Sequence, residues 1–531
     1  MKKLPVDIRG FRRIIQGGYV YVDKTQYIYR LLDEYVYCFL SRPRRFGKSL
    51  LLSTIGEMFS GDRELFKGLW IDDSDYSFEK HPVIRLDMSN IPNETPEVLK
   101  EELTIELKNQ MKKEALTIES DILSDIFKLM IEDLSEKYNQ RVVVLIDEYD
   151  KPILDHIPDI ERADANRVVL RDFYGILKSM EDYIHFVFVT GVSGFACTSM
   201  SSGLNNLHDI SLMEEYAGIC GVSTQELDTY FSEHIMHLSS LPELKRHGDI
   251  RSEILKWYGG YSWDGETRVL NPFSLLSCIS DEQFLPFWYR TGSPRFLKDL
   301  IRQNPEGYAG IGEYRLRAGA MDDVFGIDAM QTVPLLFQTG YLTIDRELDE
   351  TPLTWSLKIP NLEVDEAFNV HMLAALTSNQ DEAVRSASQN MRGALLKGDL
   401  EEMRELMKGL LSQIPYELHQ QNEAYYHSII YTAMRLLGLN MGAEVSVSGG
   451  RVDALLEIAD RAYVLEFKYT PCPKNASAER KQKLFDKALD EGAIQIFDRG
   501  YADRYVGSGR KVTRAAFAIL GRNEIEMRII D

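Results

Sequence analysis

Cysteine is scarce in this chain of 531 residues, and the five present (Cys38, Cys197, Cys220, Cys278, Cys472) form no C-x-x-C pair. A disulfide framework and a zinc ribbon are therefore not expected, and the usage fits a reducing cytoplasm. Apolar runs of about 18 residues or more are missing, so no membrane span is expected. The two lysines of the opening MKKLPVDIRGF are followed by no apolar stretch, so no secretory signal is expected either. Internal repeats and low-complexity tracts are also lacking. So is an excess of positive charge: 61 Lys+Arg stand against 82 Asp+Glu, a net charge of −21, which argues against a general nucleic-acid coat protein. The acidic excess is uneven. Residues 1–50 carry 11 basic against 4 acidic side chains, and residues 451–531 carry 15 against 13. The two ends of the chain, where phosphates would be met, are thus spared the acidic bias.

What is present is an ordinary globular composition, 44% hydrophobic and 27% charged, which sets aside bulk disorder. The length suggests roughly three or four domains. Over residues 1–225, short apolar runs alternate with helical stretches. VYCFLS (36–41), PVIRLD (82–87), RVVVLID (141–147) and HFVFVT (185–190) read as strands, and 49–59 and 96–114 read as helices. Such alternation predicts β-α-β units and a mostly parallel sheet covered on both faces. Residues 226–370 are mainly helical and end in a hairpin-like stretch over 338–361, which suits a winged helix. Residues 371–415 read as an acidic helical connector. From 416 to 531 the pattern is helix, strand–turn–strand, helix and strand.

The strand at 36–41 runs into Arg42-Pro43-Arg44-Arg45-Phe46-Gly47-Lys48-Ser49, and a helix follows. A Gly-Lys-Ser between a strand and a helix is the setting of a phosphate-binding loop, in which backbone N–H groups and the helix dipole hold phosphate oxygens. Arg45 to Ser49 are the candidate nucleotide contacts. Lys48 would reach the β- and γ-phosphates, and the Ser49 hydroxyl would ligate Mg²⁺. The first position of the usual loop is glycine, and here it is Arg42. The apolar strand 142–147 ends in Asp147 and Glu148, a Walker B arrangement, with Asp147 for Mg²⁺ and Glu148 to orient and deprotonate water. Thr190, at the end of another apolar strand, stands where a γ-phosphate sensor belongs.

A second constellation lies near the C-terminus. Glu466-Phe467-Lys468 places Glu466 and Lys468 on one side of a strand, since the side-chain period is two. A hairpin over 452–469 can bring Asp453 beside Glu466 to share one metal. Their oxygen ligands suit Mg²⁺ or Mn²⁺, and a neighbouring lysine can position water and stabilise developing charge at a scissile phosphate. The basic run Arg480-Lys481-Gln482-Lys483 follows, with Lys481 and Lys483 as candidate backbone contacts to nucleic acid or, equally, members of a solvated helix face. His234 and His237 lie three apart with no third ligand evident, so no zinc site is expected. The aromatic clusters 257–261 and 287–289 read as packing.

The stretches YVDKT (21–25), RPRRFGKSLLL (42–52), LIDEYDKP (145–152), VTGVSGF (189–195), SGLNNLHDI (202–210), NPFSLL (271–276) and QTGYLTI (338–344) resemble the bacterial AAA-ATPase-like proteins that carry a C-terminal PD-(D/E)XK nuclease domain. The resemblance covers nearly the whole chain in order. It implies that an arginine at position 42 is normal for the loop, and it departs at Gly194, where a lysine is expected. It further implies that Pro294, in Thr291-Gly292-Ser293-Pro294, lies near the adenine. In the nuclease part it implies that Glu423, on the helix before the first strand, completes the metal shell, and that Gln495 and Tyr501 form a glutamine–tyrosine motif facing nucleic acid.

The expectation is therefore an α/β chain with four parts. These are a P-loop ATPase core with a parallel sheet (1–225), a helical and winged-helix region (226–370), a helical connector (371–415) and a restriction-endonuclease-like α/β domain (416–531). The expected cofactors are ATP and Mg²⁺, with Mn²⁺ admitted at the nuclease site. The expected activity is an ATP-hydrolysing switch coupled to a phosphodiester-cleaving nuclease, with Glu148, Asp453, Glu466 and Lys468 as catalytic residues. Its expected partner is nucleic acid, DNA first, in defence against foreign DNA. The rival is a regulatory NTPase whose nuclease-like domain only binds nucleic acid or protein, and self-association into a homo-oligomer is left open.

Overall fold

The computed structural model describes residues 1–157, 159–194, 207–288, 314–317, 332–347, 354–377, 380–414, 423–439, 444–448, 451–458, 460–473, 475–498, 509–521 and 523–530, with Lys298 and Ile301. Pro294 and Tyr501 lie outside the described residues, as do the side chains of Glu423 and Asp453. The chain divides into two compact units, Met1–Gly292 with Gly312–Glu363, and Ser293–Ile311 with Val364–Asp531.

The first unit is built on a parallel sheet of β1 (Tyr37–Ser41), β2 (Val83–Asp87), β3 (Val142–Asp147), β4 (Ile184–Gly191) and β5 (His208–Asp209), in the order β2-β3-β4-β1-β5. All four long strands coincide with the apolar runs of the sequence. Every residue of β3 is buried, and β4 is buried except at His185, as expected of a sheet covered on both faces. The phosphate-loop helix α1 (Lys48–Met58) buries Leu51, Leu52, Ile55 and Met58. Helix α2 (Pro96–Lys113) starts where Thr95 accepts a hydrogen bond from Val98 N–H at 3.3 Å and Pro96 takes the first turn. It buries Leu99, Leu103, Leu107 and Met111, one face at intervals of four.

Beyond the sheet, β6 (Val222–Ser223) pairs antiparallel with β7 (Val269–Leu270). A helical layer then packs Leu227, Phe231 and Leu238 of α3 (Thr224–Ser240) with Ile250, Ile254 and Tyr258 of α4 (Ile250–Tyr258) and Leu275 and Cys278 of α5 (Pro272–Asp281). The hairpin expected over 338–361 is present as β9 (Thr343–Glu347) and β10 (Thr354–Lys358), with β8 (Tyr314–Arg317) on the far side of β10. Tyr258, Phe287 and Trp288 are buried, so these aromatics are packing residues.

The second unit carries helices α6 (Leu362–Thr377), which begins at the close of the first, α7 (Asp381–Lys397) and α8 (Leu400–Ser412). Its sheet runs β11 (Glu444–Ser448), β12 (Arg451–Ile458), β13 (Arg461–Thr470), β14 (Lys511–Leu520) and β15 (Glu524–Ile530) in sequence order. Only β13 and β14 pair parallel, and the long helix α10 (Ala478–Asp498) lies in the crossover between them, which a parallel pair requires. Helix α9 (Glu423–Leu439) covers the other face, where Tyr426 stacks on Tyr469 with centroids 4.4 Å apart. No helix among the described residues is long and apolar enough to cross a membrane.

The YVDKT stretch serves as a fastening. Asp23 accepts from Thr25 N–H (2.9 Å), Thr25 Oγ–H (2.7 Å) and Trp70 N–H (2.6 Å). The Lys24 ammonium, 8% exposed, donates to Gly218 O at 2.8 Å and to both Glu226 oxygens at 2.6 and 2.8 Å. Glu226 also closes the capping box of α3, accepting from Ser223 N–H while Ser223 Oγ accepts from Glu226 N–H. Removing Glu226 leaves a buried cation unpaired and a helix end open. Glu226→Ala is expected to lower stability by about 3–5 kcal/mol in urea unfolding, well above an ordinary surface change.

Candidate functional site

In an open parallel sheet the ligand crevice lies beyond the carboxyl ends of the strands. There the first unit has a cleft of about 410 Å³, whose lining includes Arg45, Gly47, Lys48, Ser49, Asp147 and Glu148. Six of the sequence candidates are thus brought together as far as main chain and cleft wall are concerned. Gly47 caps α1 at φ +94°, a left-handed conformation that favours glycine. Arg45 (φ +70°) and Glu148 (φ +51°) adopt positive φ without being glycine, a cost of order 1 kcal/mol each that clusters at functional sites.

Lys48 is 3% exposed. Its ammonium donates to Arg42 O at 3.0 Å and Pro43 O at 3.2 Å and lies 3.6 Å from Glu148 Oε1. Asp147 is pushed up to about 6, chiefly by burial, with the negative charges of Glu148 and Asp87 adding to it and the Ser49 hydroxyl and Lys48 opposing it. A hydroxyl beside carboxylates, crowded enough to hold one acid near neutrality, is a donor set that fits a hard divalent cation. Thr190, on β4 between β1 and β3, stands opposite Leu40 of β1, while Ile146 of β3 pairs with the preceding Val189; Thr190 is fully buried and does not line the cleft. Its buried hydroxyl has no hydrogen-bond partner among the described residues.

The loop ahead of Lys48 is held from outside. The Arg42 guanidinium is 1% exposed and donates to Ser41 O (2.8 Å), Ser211 O (2.7 Å) and Tyr216 O (3.3 Å), with its plane over the Trp263 ring at 4.1 Å. Burial pulls its pKa down to about 10, so it stays charged at neutral pH. Phe46 is fully buried, edge-on to Tyr261 (4.7 Å) and Trp263 (5.3 Å). Trp288 Nε1–H donates to Arg44 O at 3.2 Å. Gly340, at φ +89°, is approached so closely by Pro43 that a Cβ would lie 2.8 Å from it. Arg42 is thus an anchor, and the Phe46 side chain belongs to the wall behind the loop. That wall also bounds an apolar hollow of about 90 Å³ lined by Val20, Tyr21, Val22, Leu51, Cys220 and Val222, which shares Gly47 and Leu50 with the larger cleft.

Sequence reasoning missed Asp87, Arg9 and Lys151, which also line the cleft. Asp87 pairs in register with Asp147 and ends β2 as Asp147 ends β3, so an acid at the end of an apolar strand was a usable signal. Arg9 and Lys151 carried no such signal.

In the second unit, Glu466 is 2% exposed on β13. Lys468 Nζ donates to Glu466 Oε1 at 2.5 Å and to Gln495 Oε1. The amide Nε2 of Gln495 is a buried donor without a partner among the described residues. Gly492, one turn before Gln495, allows α10 to settle on the sheet: a Cβ there would lie 2.9 Å from Ala516 Cβ and 3.6 Å from Glu466 Cγ. The antiparallel register makes Asp453 the Cα partner of Glu466, and Glu423 opens α9. A carboxylate this buried, at a backbone position opposite an aspartate, is a setting that fits a divalent cation. Lys481 pairs with Glu524 at 2.5 Å and Lys483 with Glu479 at 3.0 Å, so both stand in ion pairs on α10 and its edge.

A family model described as Predicted AAA-ATPase matches residues 5–201, and one for the PD-(D/E)XK nuclease superfamily matches residues 421–527. The chain is also 34% identical over 529 residues to a protein of Azotobacter chroococcum mcd 1, described as an uncharacterized protein in the vnfD 5' region, covering 96% of this chain and 95% of that one. No solved structure matches the chain. Similarity running through both matched regions and everything between them is that of one whole architecture, and the chain belongs to the AAA-ATPase-like proteins with a C-terminal PD-(D/E)XK nuclease domain.

Proposed function

We propose that the protein is an ATP-hydrolysing switch joined to a Mg²⁺-dependent nuclease that acts on DNA, with defence against foreign DNA as its role. Within the chain we read 1–225 as the ATPase core, 226–370 as a helical and winged-helix region, 371–415 as a connector and 416–531 as the nuclease domain. The observation that carries the reading is the meeting of Lys48, Ser49, Asp147 and Glu148 at one cleft.

In this reading the phosphates lie over Arg45–Ser49, with Lys48 exchanging its carbonyl partners for phosphate oxygens. Ser49 and Asp147 hold Mg²⁺, which neutralises phosphate charge when bound. Glu148, fixed in its left-handed turn, takes a proton from the attacking water. Thr190 offers its unpartnered hydroxyl to the γ-phosphate side. The base enters the apolar hollow beside Val22 and Leu51, where burial of a flat ring against aliphatic side chains is favourable; Pro294, which the resemblance implies near the adenine, lies outside the described residues. At the second site Asp453, Glu466 and Glu423 hold a divalent ion, Mg²⁺ or Mn²⁺, which supplies Lewis-acid activation of the scissile phosphate. Lys468 positions water and balances developing charge. Gln495 orients the Lys468 ammonium through Oε1 and has Nε2 left for a phosphate oxygen. Tyr501, Lys481 and Lys483 lie along the DNA path, the two lysines after release from their acidic partners.

Cleavage of plasmid and of single-stranded DNA, measured with Mg²⁺ or Mn²⁺ and with or without ATP, tests both halves. Lys468→Ala is expected to lower cleavage by at least about 100-fold, because the charge it removes is worth most at the transition state. Lys48→Ala is expected to abolish ATP hydrolysis and any ATP dependence of cleavage. ATP hydrolysis without cleavage of DNA or RNA under any condition would replace the nuclease half by the reading in which that domain only binds.

The buried Asp147 gives a separate test. Its folded pKa of about 6 lies above the ordinary 3.8. Between those values the folded state holds the extra proton, so stability falls as pH rises through about 4 to 6 and the ionised group is unfavourable above that window. Asp147→Asn is expected to raise the stability of the nucleotide-free protein at neutral pH by about 1–3 kcal/mol in urea unfolding. The same substitution should remove the thermal stabilisation given by Mg²⁺ and ATP together. A less stable nucleotide-free variant would contradict the first expectation.

A further inference from the structure

We propose that Asp150 is a positioning residue for ATP hydrolysis: its buried carboxylate clamps the turn that carries Glu148 to the end of β4, so that the base and Thr190 keep one relative geometry. The proposal rests on the ATPase reading above and adds to it a residue that never meets the nucleotide.

Asp150 follows Glu148 by two residues but faces the other way. It is fully buried and does not line the cleft, whereas Glu148 and Lys151 do. Both of its oxygens are engaged by the segment just after β4. Oδ1 accepts from Val192 N–H at 3.3 Å, and Oδ2 accepts from Val192 N–H at 3.2 Å, Ser193 N–H at 2.7 Å and Ser193 Oγ–H at 2.6 Å. The neighbouring residue repeats the link: Tyr149 N–H donates to Thr190 O at 3.1 Å, and the Tyr149 hydroxyl donates to Ser193 O at 2.9 Å. Two consecutive residues of the Glu148 turn are thereby fastened to three of the four residues 190–193.

The fit leaves no slack. A Cβ on Gly191 would lie 2.5 Å from Asp150 Oδ1 and from the Tyr149 ring, so only glycine admits the approach. Gly191 O in turn accepts from Arg42 N–H at 3.2 Å, which ties the same strand end to the entry of the phosphate loop. On the cleft side, Glu148 is held at φ +51° by its N–H donating to Asp147 Oδ1 at 3.0 Å and its carbonyl accepting from Lys151 N–H at 3.0 Å. A residue in that conformation relaxes unless both flanks are pinned, and Asp150 pins one of them.

A role confined to filling the core does not call for this group. Asp150 has no cation partner among the described residues, and burial raises its carboxyl above its ordinary range, which is costly for the carboxylate form. What the carboxylate supplies in return is an acceptor for two consecutive backbone N–H groups and a hydroxyl at once, a rigid support behind the catalytic turn.

The experiment measures steady-state hydrolysis of Mg²⁺·ATP by the full chain, with thermal unfolding of each variant. Ser193→Ala removes one donor to Asp150 and is the mild variant. It is expected to lower kcat about tenfold while KM for ATP changes less than about twofold, since misplacement of the base acts on the transition state alone. Ser193→Thr keeps the hydroxyl and should restore kcat. Asp150→Asn, which cannot accept from both N–H groups as the carboxylate does, is expected to lose about 100-fold in kcat. Ser193→Ala with wild-type kcat, or with a lowered Tm as its only effect, overturns the proposal, because a structural fastening would leave turnover per folded molecule untouched. Should the wild-type chain itself not hydrolyse ATP, the ATPase reading is what has failed and the proposal falls with it.

Discussion

A guanidinium buried to 1% exposure with no ion-pair partner among the described residues is the constraint from which the loop ahead of Lys48 is built. Leaving such a charge unsatisfied costs several kcal/mol, so its donors have to find acceptors. The two terminal nitrogens of Arg42 find them in three main-chain carbonyls, one of its own strand and two from the segment after β5, and Cζ lies over the Trp263 ring, while the buried Nε–H has no partner among the described residues. None of these groups is free to move without exposing the charge to an unpaired state. The loop between Arg42 and Lys48 therefore starts from a fixed point. Phe46, edge-on to the stacked pair Tyr261 and Trp263, fixes the other end. In the more usual loop a glycine at the first position lets the backbone turn tightly. Here the rigidity comes from a side chain, and the glycine's freedom is retained only at Gly47, where the left-handed φ demands it.

This arrangement also explains which parts of the protein were legible in the sequence. The strands of the first unit stood out because a sheet covered on both faces demands unbroken apolar runs. Lys48, Asp147 and Glu148 stood out because their chemistry is tied to where such runs end. Glu466 and Lys468 were legible through the two-residue period of a strand, and the antiparallel register that makes Asp453 the partner of Glu466 follows from a short hairpin. Arg42 was legible only as a missing glycine. Its function depends on a carbonyl 174 residues further along and on an aromatic ring beyond that, and no local pattern announces either. Gly492 is similar: its meaning is the 2.9 Å approach to Ala516, a strand away. The helix signals around it say only that a glycine interrupts α10.

Asp150 illustrates the same limit from the opposite side. In LIDEYDKP three acids follow one another within four positions, and by composition they are equivalent. Their environments separate them. Asp147 is held beside Ser49 at the cleft, Glu148 projects into it, and Asp150 is turned into the core against Val192 and Ser193. The separation comes from one backbone feature, the left-handed Glu148, because reversing φ at a single residue redirects the chain on either side of it.

That feature is also an argument about selection for chemistry over stability. Glycine would adopt φ +51° at Glu148 with no steric penalty, and at Arg45 the same holds for φ +70°. Of the seven non-glycine residues at positive φ among the described residues, three line this cleft, Asp7, Arg45 and Glu148, and the chain keeps charged side chains there. Asp147 adds a further unfavourable element, a carboxyl that burial lifts to about 6. Each of these weakens the fold, and under the proposed ATPase reading each would be offset when phosphate oxygens and a divalent cation enter the cleft. Behind the loop the same cleft is backed by the carbonyls on Arg42 and the aromatic rings on Phe46, which belong to the segments around β5 and before β7.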